Sequence, residues 1–328
     1  MSFWKILRVL TTNACNYKCV FCHNEGQDKF IGSNSEFLKF EDFKIIIQSL
    51  EETELKEVQF SGGEPFMNPE TLKMIQWLND NTNLEIGCAT NTQFFTDETI
   101  TALSKTRINL HIQFPTYDKV RFKSITKSDL YDSLILNLSK LRKENVSFSL
   151  NYVLLTPNID DFKHLLPFLY DNTISLKLLP YVNDKTLKHN EFQKEIIPFL
   201  DSISYQYENQ NNGSLKWWIK TPCDKVITIK YINSPCFKFE FGICKNYAEI
   251  RLTPNLEIQS CLINTEGNLK LAFDLTHENK KHIKEIFETS WMNFTHCQSN
   301  IIPTMQTRRY QSGQKFILNL HRQFIGMF

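Results

Sequence analysis

Three cysteines near the start of the chain have the spacing of a metal-binding loop. Cys15, Cys19 and Cys22 follow a C-x3-C-x2-C pattern directly after an apolar run. Three thiolates on one short loop can bind three irons of a cubane iron–sulfur cluster and leave the fourth iron open to a small molecule. A tetrahedral zinc site would need a fourth Cys or His. His23 directly follows Cys22 and would reach the same ion only with strain.

Two glycines and a glutamate follow the next apolar run, in the segment Ser61-Gly62-Gly63-Glu64-Pro65. Glycines at the end of a strand let a ligand approach the backbone, and the Glu64 carboxylate can receive a cation. Taken alone, the same residues also fit a tight turn between a strand and a helix. Their position after the strand that follows the cysteines favours a binding site.

Alternating strand and helix patterns must position these two segments. Six strand-like runs are predicted, at Ile6–Thr11, Glu57–Ser61, Glu85–Thr90, Ile108–Phe114, Ser147–Leu155 and Ser175–Pro180. Helical spacing is present at Phe40–Glu51, Asn68–Asn79, Asp97–Lys105, Asp129–Glu144 and Asp160–Tyr170, with Asp97 and Asp160 as expected N-caps. Such alternation predicts an α/β fold, a partial (β/α)6 TIM-like barrel whose site lies at the carboxyl ends of the strands.

A second region is expected after the barrel. The Asn- and Gln-rich stretch Tyr205–Gly213 breaks the pattern, so we place a barrel domain at 1–204 and a C-terminal α+β extension at 205–328. Within the extension, strands are predicted in Ser214–Tyr231 and Ala248–Cys261, and a helix over Glu278–Phe294.

Composition limits the classes of partner. The 328 residues carry a formal net charge of +1, which predicts no basic surface for nucleic acid. No apolar run approaches the length of a membrane span and no targeting segment is evident, so a cytoplasmic protein with no membrane partner is expected. The odd count of nine cysteines argues against a complete disulfide set.

The cysteine spacing, with aromatic Phe21 before Cys22, resembles the signature of the radical S-adenosylmethionine (SAM) superfamily. The resemblance implies a [4Fe–4S] cluster on Cys15, Cys19 and Cys22, whose open iron binds SAM. It also implies an electron donor of flavodoxin or ferredoxin type. One electron then splits SAM, and the resulting 5′-deoxyadenosyl radical abstracts hydrogen from a substrate.

The resemblance also implies which positions contact SAM, although it names no catalytic residue. Gly62, Gly63 and Glu64 match the family's GGE motif, and polar residues at later strand ends match positions near the ribose and carboxylate. His111 fits a core histidine equally well. The full set of expected SAM contacts is Phe21, Gly62, Gly63, Glu64, Thr90, Asn91, His111, Ser149 and Asn151.

Over most of its length the chain resembles the GTP 3′,8-cyclase of molybdenum cofactor biosynthesis and the SPASM/twitch relatives. In the cyclase, three C-terminal cysteines hold an auxiliary [4Fe–4S] cluster. Cys244 and Cys261 match two of these ligands, whereas the third position falls on Tyr247. Either another cysteine substitutes, with Cys236 and Cys223 the nearest candidates and Cys297 a further one, or the cluster is absent and these are core cysteines. We expect a second cluster, with Cys236 as the third ligand.

The substrate positions depart from the cyclase pattern. The cyclase binds the triphosphate of GTP through an Arg-x-Arg pair. This chain has Glu249 and Arg251 at those two positions. Replacing a positive donor by a carboxylate disfavours a triphosphate. Arg8 and Arg251 remain expected substrate contacts. The sequence therefore predicts hydrogen abstraction from a small metabolite or peptide in a biosynthetic pathway, such as natural-product synthesis or peptide modification. The alternatives are a divergent GTP 3′,8-cyclase and a zinc-binding structural or partner-binding protein.

Overall fold

The predicted strands pair in chain order to form the centre of one curved sheet. The computed structural model describes residues 4–22, 35–155, 159–180, 189–232, 246–261 and 268–296. Each of the first six strands is parallel to the next, as expected for βα units. They are β1 (Ile6–Leu10), β2 (Glu57–Ser61), β3 (Glu85–Thr90), β4 (Ile108–Gln113), β5 (Ser147–Leu154) and β6 (Ser175–Pro180). The partial barrel predicted from the sequence is confirmed.

Helices connect these strands and cover the outer face of the sheet. They are α1 (Phe40–Ser49), α2 (Thr71–Asn81), α3 (Asp97–Leu103), α4 (Lys119–Thr126), α5 (Tyr131–Lys143), α6 (Ile159–Asn172) and α7 (His189–Ile203), with a short 3-10 turn at Pro65–Met67. In α1 the buried residues Phe40, Phe43, Ile46 and Ile47 recur at helical spacing and face the sheet. Phe43 packs on Phe60 of β2 with ring centroids 5.6 Å apart. Each such buried side chain contributes roughly 1.5–3 kcal/mol.

Neither N-cap expected from the sequence is found, and one helix was not predicted. Asp160 is the second residue of α6 and therefore not its cap. Thr96, and not Asp97, caps α3, because the Thr96 side chain accepts a hydrogen bond from the Thr99 N–H at 3.1 Å. Asp97 lies in the first turn instead, where a negative charge is favourable. Helix α4 was not predicted; it starts where Asp118 accepts a hydrogen bond from the Arg121 N–H at 2.6 Å.

Strands of the C-terminal region extend the same sheet on both sides. They are β7 (Gln206–Asn209), β8 (Ser214–Lys220), β9 (Val226–Ile232), β10 (Glu249–Leu252), β11 (Glu257–Gln259) and β12 (Leu269–Lys270). Strand β9 pairs in parallel with β6, and β10 pairs in parallel with β1. The sheet therefore continues across the boundary proposed after residue 204.

A helix of this region also packs on the barrel. Helix α8 (Lys280–His296) packs against α1, and Trp4 meets Phe287 with ring centroids 5.7 Å apart. Within the C-terminal region itself, the Asn246 side chain donates a hydrogen bond to the Asn211 carbonyl at 2.9 Å, which joins the β7–β8 turn to the residues before β10. Within the described ranges, no helix combines the length and the apolar character that crossing a bilayer requires.

Alternation along the strands separates two faces. Apolar residues such as Leu7, Val9, Val58 and Phe60 point to the helices and are buried. The intervening residues face the inside of the barrel, which we call the lumen. It is polar, and its residues include Arg8, Glu57, Gln59, Asn109, His111, Gln113, Ser149, Asn151, Lys177, Lys230, Glu249 and Arg251.

Candidate functional site

The segment 11–22, here called the cysteine loop, is fixed by backbone hydrogen bonds at the carboxyl end of β1. The N–H groups of Lys18 and Val20 donate to the carbonyls at the end of α4, each at 2.9 Å. Cys15, Cys19 and Cys22 are partly exposed and unbridged. The spacing that marked this loop in the sequence thus places three thiols on a short, anchored segment.

Gly62 and Gly63 hold the end of β2 against the start of the cysteine loop. The Gly63 N–H donates to the Thr12 carbonyl at 2.8 Å, and the Glu64 N–H donates to the Ala14 carbonyl at 2.7 Å. A Cβ atom on Gly63 would lie 1.8 Å from the Ala14 carbonyl oxygen, so only glycine allows this approach. Gly62 has φ of +133°, which also requires glycine.

Glu64 is fully buried and ties the end of β2 to the end of β3. Its carboxylate accepts hydrogen bonds from the Thr90 hydroxyl and the Asn91 N–H, both at 2.7 Å, and a longer one from the Phe66 N–H at 3.3 Å. Burial raises the pKa of Glu64 to about 7, although these hydrogen bonds act in the opposite direction. The carboxyl group therefore changes its protonation state near neutral pH.

Asn91 completes the connection to the cysteine loop, because its side-chain amide donates to the Asn16 side chain at 2.7 Å. Asn16 directly follows Cys15, so the ends of β1, β2 and β3 form one hydrogen-bonded unit. Thr90, Asn91 and Glu64 are site residues predicted from the sequence, and the structure brings all three together. Asn16 was not among the predicted site residues, because its only sequence signal is its place inside the cysteine motif.

The donor set fits an iron–sulfur cluster. Three thiols lie on one anchored loop, and a cubane cluster binds each thiolate to a different iron. A tetrahedral zinc site would need a fourth protein donor, and His23, the next candidate along the chain, lies outside the described residues. Phe21 lies half-buried beside Cys22.

Inside the lumen, Glu249 pairs with two arginines. Arg8 Nε and Nη2 donate to its two carboxylate oxygens at 3.0 and 2.8 Å, and Arg251 Nη2 lies 2.5 Å from Glu249 Oε1. Burial would raise the pKa of Glu249, but Arg251 and Arg8 outweigh that effect and hold it at about 2. The two arginines expected to contact substrate thus already share a buried counterion.

His111 lies on the same face of the sheet, one strand from Ser149. Its Nδ1 is 3.0 Å from the Ser149 hydroxyl, and burial together with the cations Lys177 and Arg8 lowers its pKa well below the ordinary value. His111 is therefore neutral at physiological pH. Asn151 follows on β5, and its backbone carbonyl accepts a hydrogen bond from the Gln113 side chain at 3.3 Å.

The expected auxiliary-cluster residues are only partly within the described ranges. Cys236, Cys244 and Cys297 lie outside them. Cys261 is described and half-buried, and the Tyr247 hydroxyl lies 3.4 Å from that of Ser214. Cys223 is exposed in the turn at the far end of β8, roughly 20 Å along the strand from Ser214. The fold therefore does not bring Cys223 to Tyr247.

Comparison with known proteins agrees with this arrangement. Residues 9–169 match the family described as the Radical SAM superfamily. The matched segment contains the cysteine loop and the Gly62-Gly63-Glu64 turn. This chain belongs to the radical SAM superfamily. It is consequently an enzyme, and the family implies a [4Fe–4S] cluster and SAM. This membership argues against the zinc-binding structural alternative.

Individual relatives of this radical SAM enzyme divide between two kinds of protein. A GTP 3′,8-cyclase of Clostridium perfringens is 25% identical over 269 residues, covering 78% of this chain and 80% of the cyclase. Streptococcus suis SuiB bound to S-adenosylmethionine matches with a TM-score of 0.65 at 13% identity, covering 93% of this chain and 71% of SuiB. SuiB bound to the precursor peptide SuiA matches with a TM-score of 0.63 at 13% identity, covering 88% of this chain and 65% of that chain. The structural matches show a shared fold.

Proposed function

We propose that this enzyme binds a [4Fe–4S] cluster through Cys15, Cys19 and Cys22, and SAM at the adjoining strand ends, to start radical chemistry on a small metabolite or a peptide. When bound, the cluster supplies the electron that cleaves SAM to a 5′-deoxyadenosyl radical, which abstracts hydrogen from the substrate. The observation that carries the proposal is the hydrogen-bonded unit of the cysteine loop, Gly63-Glu64 and Asn91.

The chain's own residues position the reactants in this proposal. Gly62 and Gly63 keep side chains away from the strand end and let a ligand approach the backbone. Glu64 and Asn91 fix the neighbouring strand ends relative to the cysteine loop, while Thr90 orients the Glu64 carboxylate. His111, Ser149 and Asn151 line the lumen beyond them, where the rest of SAM or the substrate would lie. Pre-positioning of this kind lowers the entropic cost of reaching the reactive geometry.

The test is reductive SAM cleavage by anaerobically reconstituted enzyme. With strong reductant, the wild type should form 5′-deoxyadenosine, whereas the variant with Cys15, Cys19 and Cys22 all changed to Ala should form none. Cys223→Ser is the matched control, because Cys223 is exposed and far from the site, and it should retain wild-type turnover. Formation of 5′-deoxyadenosine by the triple variant would contradict the proposal.

The substrate proposal rests on the charge of the lumen. Glu249 lies between Arg8 and Arg251, offsets one of their two positive charges and occupies guanidinium N–H groups that would otherwise be available to a triphosphate. A substrate with less negative charge fits this arrangement better. A precursor peptide, of the kind bound by SuiB, and a small specialised metabolite are both compatible with it. A biosynthetic pathway, cytoplasmic location and an electron donor of flavodoxin or ferredoxin type belong to the same proposal.

A divergent GTP 3′,8-cyclase is the second candidate, and the 25% identity to a cyclase over most of the chain favours it. Incubating the reduced enzyme with SAM and GTP separates the two candidates. The cyclised product would identify a cyclase, whereas unchanged GTP together with 5′-deoxyadenosine formation would support another substrate.

We further propose an auxiliary [4Fe–4S] cluster in the region 205–328, with Cys244 and Cys261 as ligands and Cys236 as the third. Iron counting tests it with the triple Cys→Ala variant described above. That variant should retain about half of the wild-type iron if each cluster holds four irons. Complete loss of iron would contradict a second cluster.

A further inference from the structure

Two lysines stand side by side in the lumen, on strands that come from different parts of the chain. Lys177 of β6 and Lys230 of β9 are direct partners in the parallel pairing of these strands. Leu176 and Leu178 are buried on the opposite face, so alternation directs Lys177 into the lumen. Burial and the neighbouring Lys230 lower the pKa of Lys177 to about 8. Burial and Lys216, its direct partner on β8, lower the pKa of Lys230.

The charges around this pair do not balance. Glu249 is shared by Arg8 and Arg251. Glu249 acts on Lys177 alone, whereas Glu57 of β2 acts on both lysines and accepts a hydrogen bond from the Gln59 side chain. Glu208 of β7 acts on Lys230, but Lys216 of β8 is a further cation beside Lys230, so positive charge remains in excess.

Neither lysine ammonium makes an ion pair or hydrogen bond with a residue that the structure describes. Two adjacent cations in a low-dielectric space are unfavourable unless an anion joins them.

An unused acceptor beside Lys177 also indicates a ligand. Asn151 of β5 is the direct partner of Lys177 in the β5–β6 pairing. Its Oδ1 is buried and, within the described part of the chain, receives no hydrogen bond. Buried polar atoms normally have a partner, so a bound molecule is expected to reach this corner of the lumen. Because an amide oxygen needs a donor, the group that meets Asn151 would be an N–H or hydroxyl of that molecule, next to the anionic group that the lysines hold.

We propose that Lys177 and Lys230 together bind one anionic group, a carboxylate or a phosphate, of the substrate. The inference rests on the proposed function, because it assigns a chemical class to the substrate of the same lumen. One anionic group satisfies both ammonium ions. A triphosphate would need further donors. Arg8 and Arg251 are bound to Glu249, and Lys216, the partner of Lys230 on β8, lies over the Trp218 ring.

The test is anion binding to the cluster-loaded, SAM-bound enzyme, measured by isothermal titration calorimetry. The probes are acetate, which represents a carboxylate, and sulfate, which represents a phosphate and does not titrate near neutral pH. Lys177→Gln and Lys230→Gln should each weaken binding of the preferred probe by at least about tenfold, since each removes a charge-assisted hydrogen bond. Lys220→Gln, on an exposed position of β8, is the matched control and should bind like the wild type.

A second measurement separates charge from structure. At pH 8, sulfate binding to the wild type should take up protons, because the anion raises the pKa of Lys177. Titrations in two buffers of different ionisation enthalpy report this uptake. Lys177→Arg should keep the affinity within about threefold and lose the Lys177 part of the proton uptake, because an arginine is charged throughout.

Three outcomes would overturn the proposal. They are no saturable binding of either probe to the wild type, equal affinity in the wild type and Lys177→Gln, and a tenfold loss of SAM affinity in the lysine variants. The last would assign the pair to the cofactor. Preference for acetate or for sulfate distinguishes the two kinds of substrate group. Because 5′-deoxyadenosine formation is measured separately, failure of anion binding is distinguishable from failure of the proposed radical chemistry.

Discussion

The substitution Glu249→Gln should destabilise the protein, because it leaves two arginines in the lumen without their shared counterion. The pKa of Glu249 is held at about 2, against 4.5 for an ordinary glutamate. A difference of one pKa unit corresponds to about 1.4 kcal/mol, so the ion pairs favour the folded state by about 3 kcal/mol. Removing one member of a buried ion pair typically costs a similar amount.

Urea unfolding of the cluster-free proteins at pH 7 measures this loss. Glu208→Gln is the control, since Glu208 is exposed on β7 and its replacement should change the free energy of unfolding by less than about 0.5 kcal/mol. Because the folded-state pKa is lowered, the stabilisation is fully present above pH 4.5 and is lost as the pH falls toward 2. The contribution of this group should therefore be constant between pH 6 and 8.

The same variant should change ligand preference. Arg8 and Arg251 no longer share a carboxylate in Glu249→Gln, so pyrophosphate should bind at least about tenfold more tightly than to the wild type. Calorimetric titration of the cluster-loaded enzyme measures this affinity. A loss of stability below about 1 kcal/mol, combined with unchanged pyrophosphate affinity, would refute the view that Glu249 neutralises the arginines.

Three other substitutions test separate parts of the site. Gly63→Ala should lower SAM affinity in equilibrium dialysis by at least about tenfold, because the new Cβ would lie 1.8 Å from the Ala14 carbonyl oxygen. The control variant Ser204→Ala should bind SAM like the wild type. Wild-type SAM affinity in Gly63→Ala would contradict the close approach. The SAM affinity of the wild type should rise as the pH increases through about 7, where Glu64 ionises and attracts the SAM cation. In Glu64→Gln the affinity should not change over this pH range. The same pH dependence in both proteins would exclude Glu64 as the titrating group. As the pH rises from 8 toward 10.5, the free energy of unfolding should increase by up to about 3 kcal/mol on account of Lys177, because the unfolded chain binds the lysine proton more tightly than the folded chain in this range. Urea unfolding of the wild type and of Lys177→Met, compared at several pH values, measures this contribution. A difference in stability that does not change with pH would contradict the lowered pKa.

Local patterns were sufficient to predict the barrel strands. The predicted ends of all six lie within one residue of those observed, because each strand is an alternating apolar run bounded by polar turns. Helix α4 was missed since only Phe122, Ile125 and Thr126 are buried in its eight residues, which gives little periodicity. The cap of α3 was misplaced by one residue, because Thr96 and Asp97 are both good capping residues and only the backbone conformation distinguishes them.

Local patterns could not predict contacts between distant segments. Arg8 and Glu249 are 241 residues apart, and their pairing depends on β10 joining the edge of β1. The pair Lys177–Lys230 likewise depends on β9 joining β6, although alternation with buried leucines indicates that Lys177 faces inward. In contrast, the cysteine spacing and the Gly62-Gly63-Glu64 turn were recognisable because the chemistry requires those residue types close together in the chain.

Strands β9 and β10 border the barrel at its two outer strands, and this placement bears on how such a protein can acquire new specificity. The cysteine loop and the residues hydrogen-bonded to it follow β1, β2 and β3, whereas Lys230, Glu249 and Arg251 come from the later strands β9 and β10. Substitutions in those later strands can change the charge that an incoming molecule meets while the loops that start the reaction stay intact. Divergence from an ancestor with another substrate would then require few changes, concentrated in the last third of the chain.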